Sequence, residues 1–249
     1  MIFFLKRSTI HVDCFTSRKD VYEYSPIVEA SKCIPDWWKK LPKPGIDENL
    51  VAHTNMRNCV GFIDFHTNAL CMRLWSELAI KLNYFEKKFN FQFSDFSSDM
   101  EFHPKQQFER FLSDDYAQFK IISPWIFKTK EDVNWIVVQN IYSPNLSNDL
   151  CILPGVLNFK YQPSTHIQCV IKGGEGVILR KKFDFNMPLM NLFPLTDKKI
   201  KFKNHLISDG EYSNKMKLTN NITFFKKYRM IKNLVDSKEK ESKCPFGFK

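Results

Sequence analysis

Residues Cys151–Leu206 read CILPGVLNFKYQPSTHIQCVIKGGEGVILRKKFDFNMPLMNLFPLTDKKIKFKNHL, and this stretch decides the fold class. Three apolar runs, Val156–Ile171, Val177–Phe183 and Leu189–Leu195, are separated by Gly173-Gly174-Glu175-Gly176 and by Asn186-Met187-Pro188. Runs rich in β-branched and aromatic residues, bounded by Gly, Pro and Asn clusters, read as strands. The spacing predicts consecutive antiparallel strands, with the glycines forming a hairpin turn because they reach positive φ at no steric cost. Lys172–Gly176 lacks both the GxxxxGK[ST] spacing and a following helix, so it is not read as a phosphate loop.

Working outward, Ser8–Phe15 and Tyr24–Glu29 read as strands, and Pro35–Lys40 as a short helix opened by proline. Asn58–Phe65 reads as a strand. Leu78, Ile80 and Leu82 alternate toward a hairpin tip at Glu86–Lys88, beyond which Phe89, Phe91 and Phe93 alternate with polar residues. Pro104–Phe111 resembles an amphipathic helix. Gln118–Ile122, Trp125–Lys128 and Val133–Gln139 continue the strands, the last two joined by Thr129–Asp132. The pattern changes after Lys203: Ile222, Phe225, Tyr228, Ile231, Leu234 and Val235 recur at helical spacing behind Thr219 as N-cap, predicting a helix over 219–235 with its apolar stripe on the β-core.

The expected architecture is mainly β, an antiparallel two-sheet sandwich or jelly roll with a C-terminal amphipathic helix. With 249 residues, 43% of them hydrophobic, and no linker, the chain reads as one β-rich domain over 1–236 and a basic tail over 237–249. The N-terminus has five apolar residues before its charges, short of a signal-peptide core, and no window reaches the length of a spanning helix. Seven scattered cysteines without a CxxC pair read as reduced thiols in a cytosolic compartment.

Charge is local. Lys198–Lys249 holds 14 Lys and Arg against 5 Asp and Glu, leaving 23 against 22 for the rest of the chain. Such a segment attracts anionic partners through salt-sensitive forces. Arg229 is its one arginine, and bidentate readout of bases or phosphates favours that residue, so any nucleic-acid binding is expected to be weak and non-specific. Single-strand binding would need exposed aromatics interleaved with lysines, for which Phe89, Phe91 and Phe93 beside Lys87 and Lys88 are a loose match.

No catalytic fingerprint is present. The six histidines show no HExxH or HxxxH spacing, and no GxSxG elbow occurs. In a jelly roll, His103, His166 and His205 are candidates to converge with a carboxylate, which keeps a metal-dependent small-molecule enzyme open as the alternative. No cofactor is otherwise expected. Cys169 and His166, three apart, would face opposite sides of a strand and make no dyad.

Cys33-Ile-Pro-Asp-Trp-Trp-Lys-Lys-Leu-Pro42 with Cys59-Val-Gly-Phe-Ile63, and Leu153–Tyr161 followed by Pro188–Leu195, together with Leu74-Trp-Ser-Glu-Leu78 and Ser123-Pro-Trp125, carry a family resemblance. Over roughly residues 10–212 the chain resembles a family of proteins encoded by marine tailed phages and related viruses, with more distant bacterial relatives and no assigned activity. The resemblance implies a viral origin, which agrees with the excess of lysine over arginine and the scarcity of alanine, a bias toward AT-rich codons. Where the family has Gly-Thr-Pro or Gly-Glu-Pro, this chain has Asn186-Met187-Pro188, which puts a glycine-dependent turn in question.

The reading favoured from sequence is therefore a viral accessory or interaction protein without catalytic activity. It would act in the cytoplasm of the infected host cell or on the virus particle, binding a protein partner or particle surface. Trp37 and Trp38 would serve as anchors and Lys226, Lys227, Arg229 and Lys232 as steering charges.

Overall fold

The structure, a computed structural model, describes residues 9–43, 45–46, 52–53, 55–83, 88–93, 100–102, 116–142, 150–172, 178–220 and 225–242. In chain order its strands are β1 (Thr9–Thr16), β2 (Val28–Glu29), β3 (Gly45–Ile46), β4 (Ala52–His53), β5 (Leu70–Arg73), β6 (Leu78–Asn83), β7 (Lys88–Phe93) and β8 (Met100–Phe102). They continue with β9 (Tyr116–Thr129), β10 (Asn134–Gln139), β11 (Leu150–Ile152), β12 (Gly155–Asn158), β13 (Ser164–Lys172), β14 (Ile178–Phe183), β15 (Pro188–Pro194) and β16 (Lys199–Leu206).

The protein is mainly β, as expected, and its architecture is consistent with a sandwich. One large sheet runs β11-β13-β9-β1-β16, with β8 also on β9, and the other runs β12-β10-β15-β5-β2. Between them lies one apolar core, to which β1 gives Ile10 and Val12, β9 gives Phe119, Ile121 and Phe127, and β10 and β15 give Trp135 and Leu192. Phe159 stacks on Phe127 at 4.7 Å and meets Trp135 at 5.3 Å, linking the two sheets. Among the described residues, all ladders are antiparallel except β1 with β16, which run parallel from Thr9↔Lys199 to Thr16↔Leu206. On β16, Lys199, Lys201 and Lys203 are exposed while Ile200 and Phe202 pack on the core. Lysines along a sheet edge discourage strand addition by another chain.

The strands of the deciding stretch are present, but they are not consecutive neighbours. The run Val156–Ile171 is broken at Phe159–Pro163, where the chain crosses from β12 in one sheet to β13 in the other, and Asn158 Oδ1 accepts from Lys160 N at 3.1 Å. β13 pairs with β9 and β11, β14 with β6, and β15 with β10 and β5. Gly173–Gly176 lies outside the described residues, and the strands on either side of it do not form the expected hairpin. Short local pattern marks a strand without specifying its partner.

Other expectations change for local reasons. Asn58–Phe65 is not a strand: a 3-10 turn over Met56–Asn58, capped by Asn55, leads into the helix Val60–Thr67, which buries Phe62 and His66 at i and i+4. Tyr24–Glu29 divides into the end of a helix, Lys19–Tyr24, and the two residues of β2. Gln118–Ile122 and Trp125–Lys128 are one strand, β9, which carries Pro124 where the ladder to β13 shifts register between Ser164 and His166. A missing N–H is tolerated at such an irregularity, and the neighbouring Trp125 N donates to Ser123 Oγ at 3.0 Å. The β6–β7 hairpin is as expected, with Phe89, Phe91 and Phe93 in register with Leu82, Ile80 and Leu78. Pro104–Phe111 lies outside the described residues.

At the C-terminus there are two helices, Asp209–Asn220 and Phe225–Ser242, in place of one over 219–235. Thr219 falls inside the first and is no N-cap, and helix continues through much of the stretch expected to be a tail. Of the expected apolar stripe, Leu234 is exposed and Ile231 and Val235 are half-buried. The second helix is held by polar contacts to the crossover turns: Asp236 Oδ1 accepts from the Tyr161 hydroxyl at 2.9 Å, Lys160 Nζ lies 3.4 Å from Asp236, and Lys232 Nζ lies 3.6 Å from Asp132. Among the described residues, no helix is long and apolar enough to cross a membrane.

Candidate functional site

The short β2 lies antiparallel to β5, pairing Val28 with Cys71 and Glu29 with Leu70, and Ala30 N donates to Ala69 O at 2.9 Å. This lays the 3-10 turn Ala30–Cys33 against β5, so Cys33 meets Cys71 although 38 positions separate them in sequence. Arg73, two residues beyond Cys71, shares its face of the strand. Leu74 N donates to Met187 O at 2.8 Å and Asn186 N to Leu74 O at 2.7 Å, which fixes the turn before β15 beside Arg73. Asn186 has φ 65, in the left-handed region that asparagine tolerates better than other side-chain-bearing residues. It therefore does here what glycine would do, and the turn questioned from sequence is intact.

These elements enclose a pocket of about 550 Å³. Ile34, Trp37, Tyr142 and Pro188 supply apolar and aromatic wall, while Cys33, Arg73 and Lys32 supply the chemistry. Asp36, also on the wall, is paired with Lys39 at 2.9 Å. Arg73 Nη1 donates to Asn186 Oδ1 at 3.4 Å, and among the described residues no carboxylate pairs with its guanidinium. The site is thus cationic, half apolar and open at Trp37, which is 39% exposed.

The Cys33 thiol is held down to about 7 by the neighbouring Cys71 side chain, helped by the guanidinium of Arg73 and the charge of Lys39 against the opposing effect of burial. Burial pushes the Cys71 thiol well up, and the interaction with Cys33 adds to this. The two shifts run in opposite directions, so Cys33 is the thiol of the pair that ionises more readily.

The tandem tryptophans have separate roles. Trp38 stacks on Phe62 at 5.3 Å with 11° between the planes, and its Nε1 donates to Met56 O at 3.0 Å. The Arg57 guanidinium lies 5.6 Å from its ring centroid. Trp38 is thus built into the aromatic cluster of Phe62, His66 and Tyr142, whereas Trp37 touches Phe62 edge-on at 5.8 Å and lines the pocket.

The basic residues do not join Trp37. Lys232 is tied to Asp132 and lies 5.2 Å over the Tyr161 ring, beside the β9–β10 crossover. β15 runs from Pro188 at the pocket to Pro194, which pairs with Trp135 near that crossover. The pocket and Lys232 are therefore at opposite ends of the sheet, on the order of 20 Å apart at about 3.3 Å per residue. Arg229 lies one helical turn before Lys232, and Lys226 and Lys227 occupy the start of the same helix, with side chains outside the described set.

The metal candidates do not converge either. His166 on β13 and His205 on β16 belong to one sheet with β9 and β1 between them, so their strands are separated by about 14 Å at about 4.8 Å per step. His205 Nε2 is engaged by Asp13 Oδ1 at 2.7 Å and its ring stacks on Phe15 at 4.9 Å. His103 lies outside the described residues, and among those described no group of three His, Cys, Asp or Glu is placed to hold a metal ion.

Sequence reasoning missed Cys33, Cys71 and Arg73 as a group because no local motif joins them. The available signal was the strand spacing Cys71-x-Arg73 together with a cysteine directly before a proline-opened aromatic turn. No protein-family model matches this chain, and no curated protein matches it significantly.

Proposed function

We propose that this is a virus-encoded accessory protein that binds an acidic segment of a protein partner, seating a carboxylate-bearing side chain in the pocket between Trp37 and Arg73. The observation that carries the reading is the pocket: about 550 Å³, walled by Trp37, Tyr142, Ile34 and Pro188, with a guanidinium that pairs with no carboxylate among the described residues. Pockets of a few hundred Å³ with apolar walls and few polar groups are the usual form of binding sites. The planar fork of arginine matches a carboxylate, and tryptophan and arginine are the residue types that most often dominate interfaces. Cys33 to Trp37 and Pro188 also fall within the passages on which the resemblance to the viral family rests.

Charge near the pocket comes from Lys32, Lys39 and Arg73. The Phe225–Ser242 helix contributes little direct attraction there, because roughly 20 Å exceeds the ~8 Å screening length at physiological salt. Titrating a fluorescein-labelled octapeptide of Asp, Glu and Phe into the protein tests the reading by anisotropy. Saturable binding that weakens about tenfold in Arg73→Gln and in Trp37→Ala, and is absent for the Asn/Gln/Phe counterpart, is expected; equal binding by both peptides would refute it.

A further inference from the structure

We propose that Cys33 and Cys71 form a peroxide-reactive dithiol, in which Cys33 attacks a hydroperoxide entering the pocket and Cys71 resolves the product to a disulfide. This goes beyond the binding proposal and does not depend on it, because it requires the pocket and the two thiols but no peptide. Three arrangements support it. Cys33 lines the pocket although only 6% exposed, so a small reagent that enters the pocket meets this residue. Cys71, fully buried, packs with it in one cluster. Arg73 lines the same pocket as Cys33, where its charge favours the thiolate and would polarise an incoming peroxide oxygen.

A further buried group completes the site. Asn140 is 1% exposed, and its Nδ2 has no partner among the described residues apart from its approach to Cys71. The thiolate character of Cys33 near neutrality also suits attack, since a thiol is most effective when its pKa lies close to the ambient pH.

The steps balance as follows. The Cys33 thiolate attacks one oxygen of ROOH, the O–O bond breaks, and RO⁻ takes a proton from solvent and leaves as ROH. Cys33 is oxidised by two electrons to the sulfenic acid. Cys71 Sγ then attacks the Cys33 sulfur, the S–O bond breaks and the S–S bond forms. The departing hydroxide takes the Cys71 proton and leaves as water. One hydroperoxide and two thiols thus yield one alcohol, one water and one disulfide, and an added small dithiol returns the pair to the reduced state. The Ala30–Cys33 turn carries the movement needed to bring the sulfurs to the ~2.05 Å of a disulfide.

The reactivity order expected runs against exposure, because Cys151 is exposed and Cys59 half-buried while Cys33 is buried. Fully reduced full-length protein is treated with one equivalent of hydrogen peroxide at pH 7, alkylated, and mapped by mass spectrometry without reduction. A Cys33–Cys71 linked peptide as the first product is expected, and in Cys71→Ser a dimedone adduct on Cys33. Arg73→Gln is expected to slow peroxide consumption about tenfold. Oxidation that falls first on Cys151 or Cys59, or a Cys33 rate unchanged in Arg73→Gln, overturns the proposal. The wild-type protein supplies an independent check: Cys33 alkylation by iodoacetamide should titrate with a midpoint near 7, and a midpoint in the ordinary thiol range above 8 would overturn it.

Discussion

Asn186 Oδ1 accepts a hydrogen bond from Arg73 Nη1 at 3.4 Å, joining the turn before β15 to the last residue of β5 across 113 positions of sequence. One asparagine thereby serves two ends. Its backbone adopts φ 65 and makes the turn, and its side chain aims the guanidinium into the pocket.

These two contributions separate on substitution. Asn186→Gly keeps the turn and loses the side chain, so stability should change by less than about 0.5 kcal/mol while anionic-peptide affinity falls several-fold. Asn186→Val forces a β-branched residue into the left-handed region and should cost about 1–3 kcal/mol. Urea denaturation of both variants reads the difference, and equal stabilities would show that the turn does not depend on this conformation.

Trp37→Ala and Trp38→Ala should diverge in the same way. Trp38 loses its stack on Phe62 and its hydrogen bond to Met56 O, and a half-buried tryptophan removed from such a cluster should cost about 2–3 kcal/mol, somewhat below the range for full burial. Trp37 is at the pocket mouth, and its removal should cost less than about 1 kcal/mol while weakening binding. Thermal melts together with peptide titrations distinguish the two. A larger stability loss at Trp37 would contradict the division of roles.

Tyr161 is expected to control the docking of the Phe225–Ser242 helix. Its hydroxyl lies 3.1 Å from Asp132 Oδ2 and 2.9 Å from Asp236 Oδ1, and these carboxylates hold its ionisation well above the ordinary phenol value, with burial as the larger cause. Tyr161→Phe leaves two facing carboxylates without the donor between them. Amide exchange over 225–242 should accelerate about five- to tenfold, corresponding to about 1 kcal/mol for one hydrogen bond to a charged group, while exchange in β9 and β10 is unchanged.

The same docking should depend on acid. Burial alone would raise the Asp132 carboxyl, but hydrogen bonds from Asn158 and Tyr161 and the charges of Lys232 and Lys160 outweigh it and lower the pKa. A group depressed in the folded state stabilises above its unfolded pKa and loses that contribution as pH falls through the folded one. Helix protection should thus be constant near neutrality and decline below about pH 3.9. Asp132→Asn should show weak docking at every pH.

His66 gives a second pH signature with the same sign and a different window. It is fully buried among Phe62, Phe65 and Tyr142, its Nδ1 donates to Phe62 O at 2.9 Å, and its Nε2 has no partner among the described residues. Burial lowers its pKa, with the Phe62 carbonyl pulling the other way. The unfolded chain binds the proton more readily, so stability should fall as pH drops below about 6.5. His66→Phe should remove that slope, and its persistence in the variant would assign the effect elsewhere.

Most strands were legible because period and punctuation are local. Trp135 and Val137, or Ile167 and Cys169, alternate with partly exposed neighbours, and that pattern survives without knowing which sheet receives it. Pairing was not legible: β13, β14 and β15 lie one after another in sequence and in three different sheets. Val60–Thr67 misled because Phe62 and His66 bury a helical face within a stretch otherwise as apolar as a strand. The stripe of the last helix suggested core packing, yet Asp236 and Lys232 dock it by charge and leave Leu234 52% exposed. Trp37 was recognisable from its type as a candidate anchor, and it lines the pocket. Cys33, Cys71 and Arg73 were not, since only the β2–β5 pairing brings them together.

The most direct test of the account is a ¹H–¹⁵N chemical-shift titration of the wild-type protein with the Asp/Glu/Phe octapeptide. Binding at the pocket predicts saturable shifts centred on Lys32–Trp37, Arg73, Tyr142 and Asn186, with the Trp37 indole among the largest and Arg73→Gln abolishing them. Shifts centred instead on 209–242, or no saturable shift near Arg73, would contradict it and transfer the binding function to the basic helices.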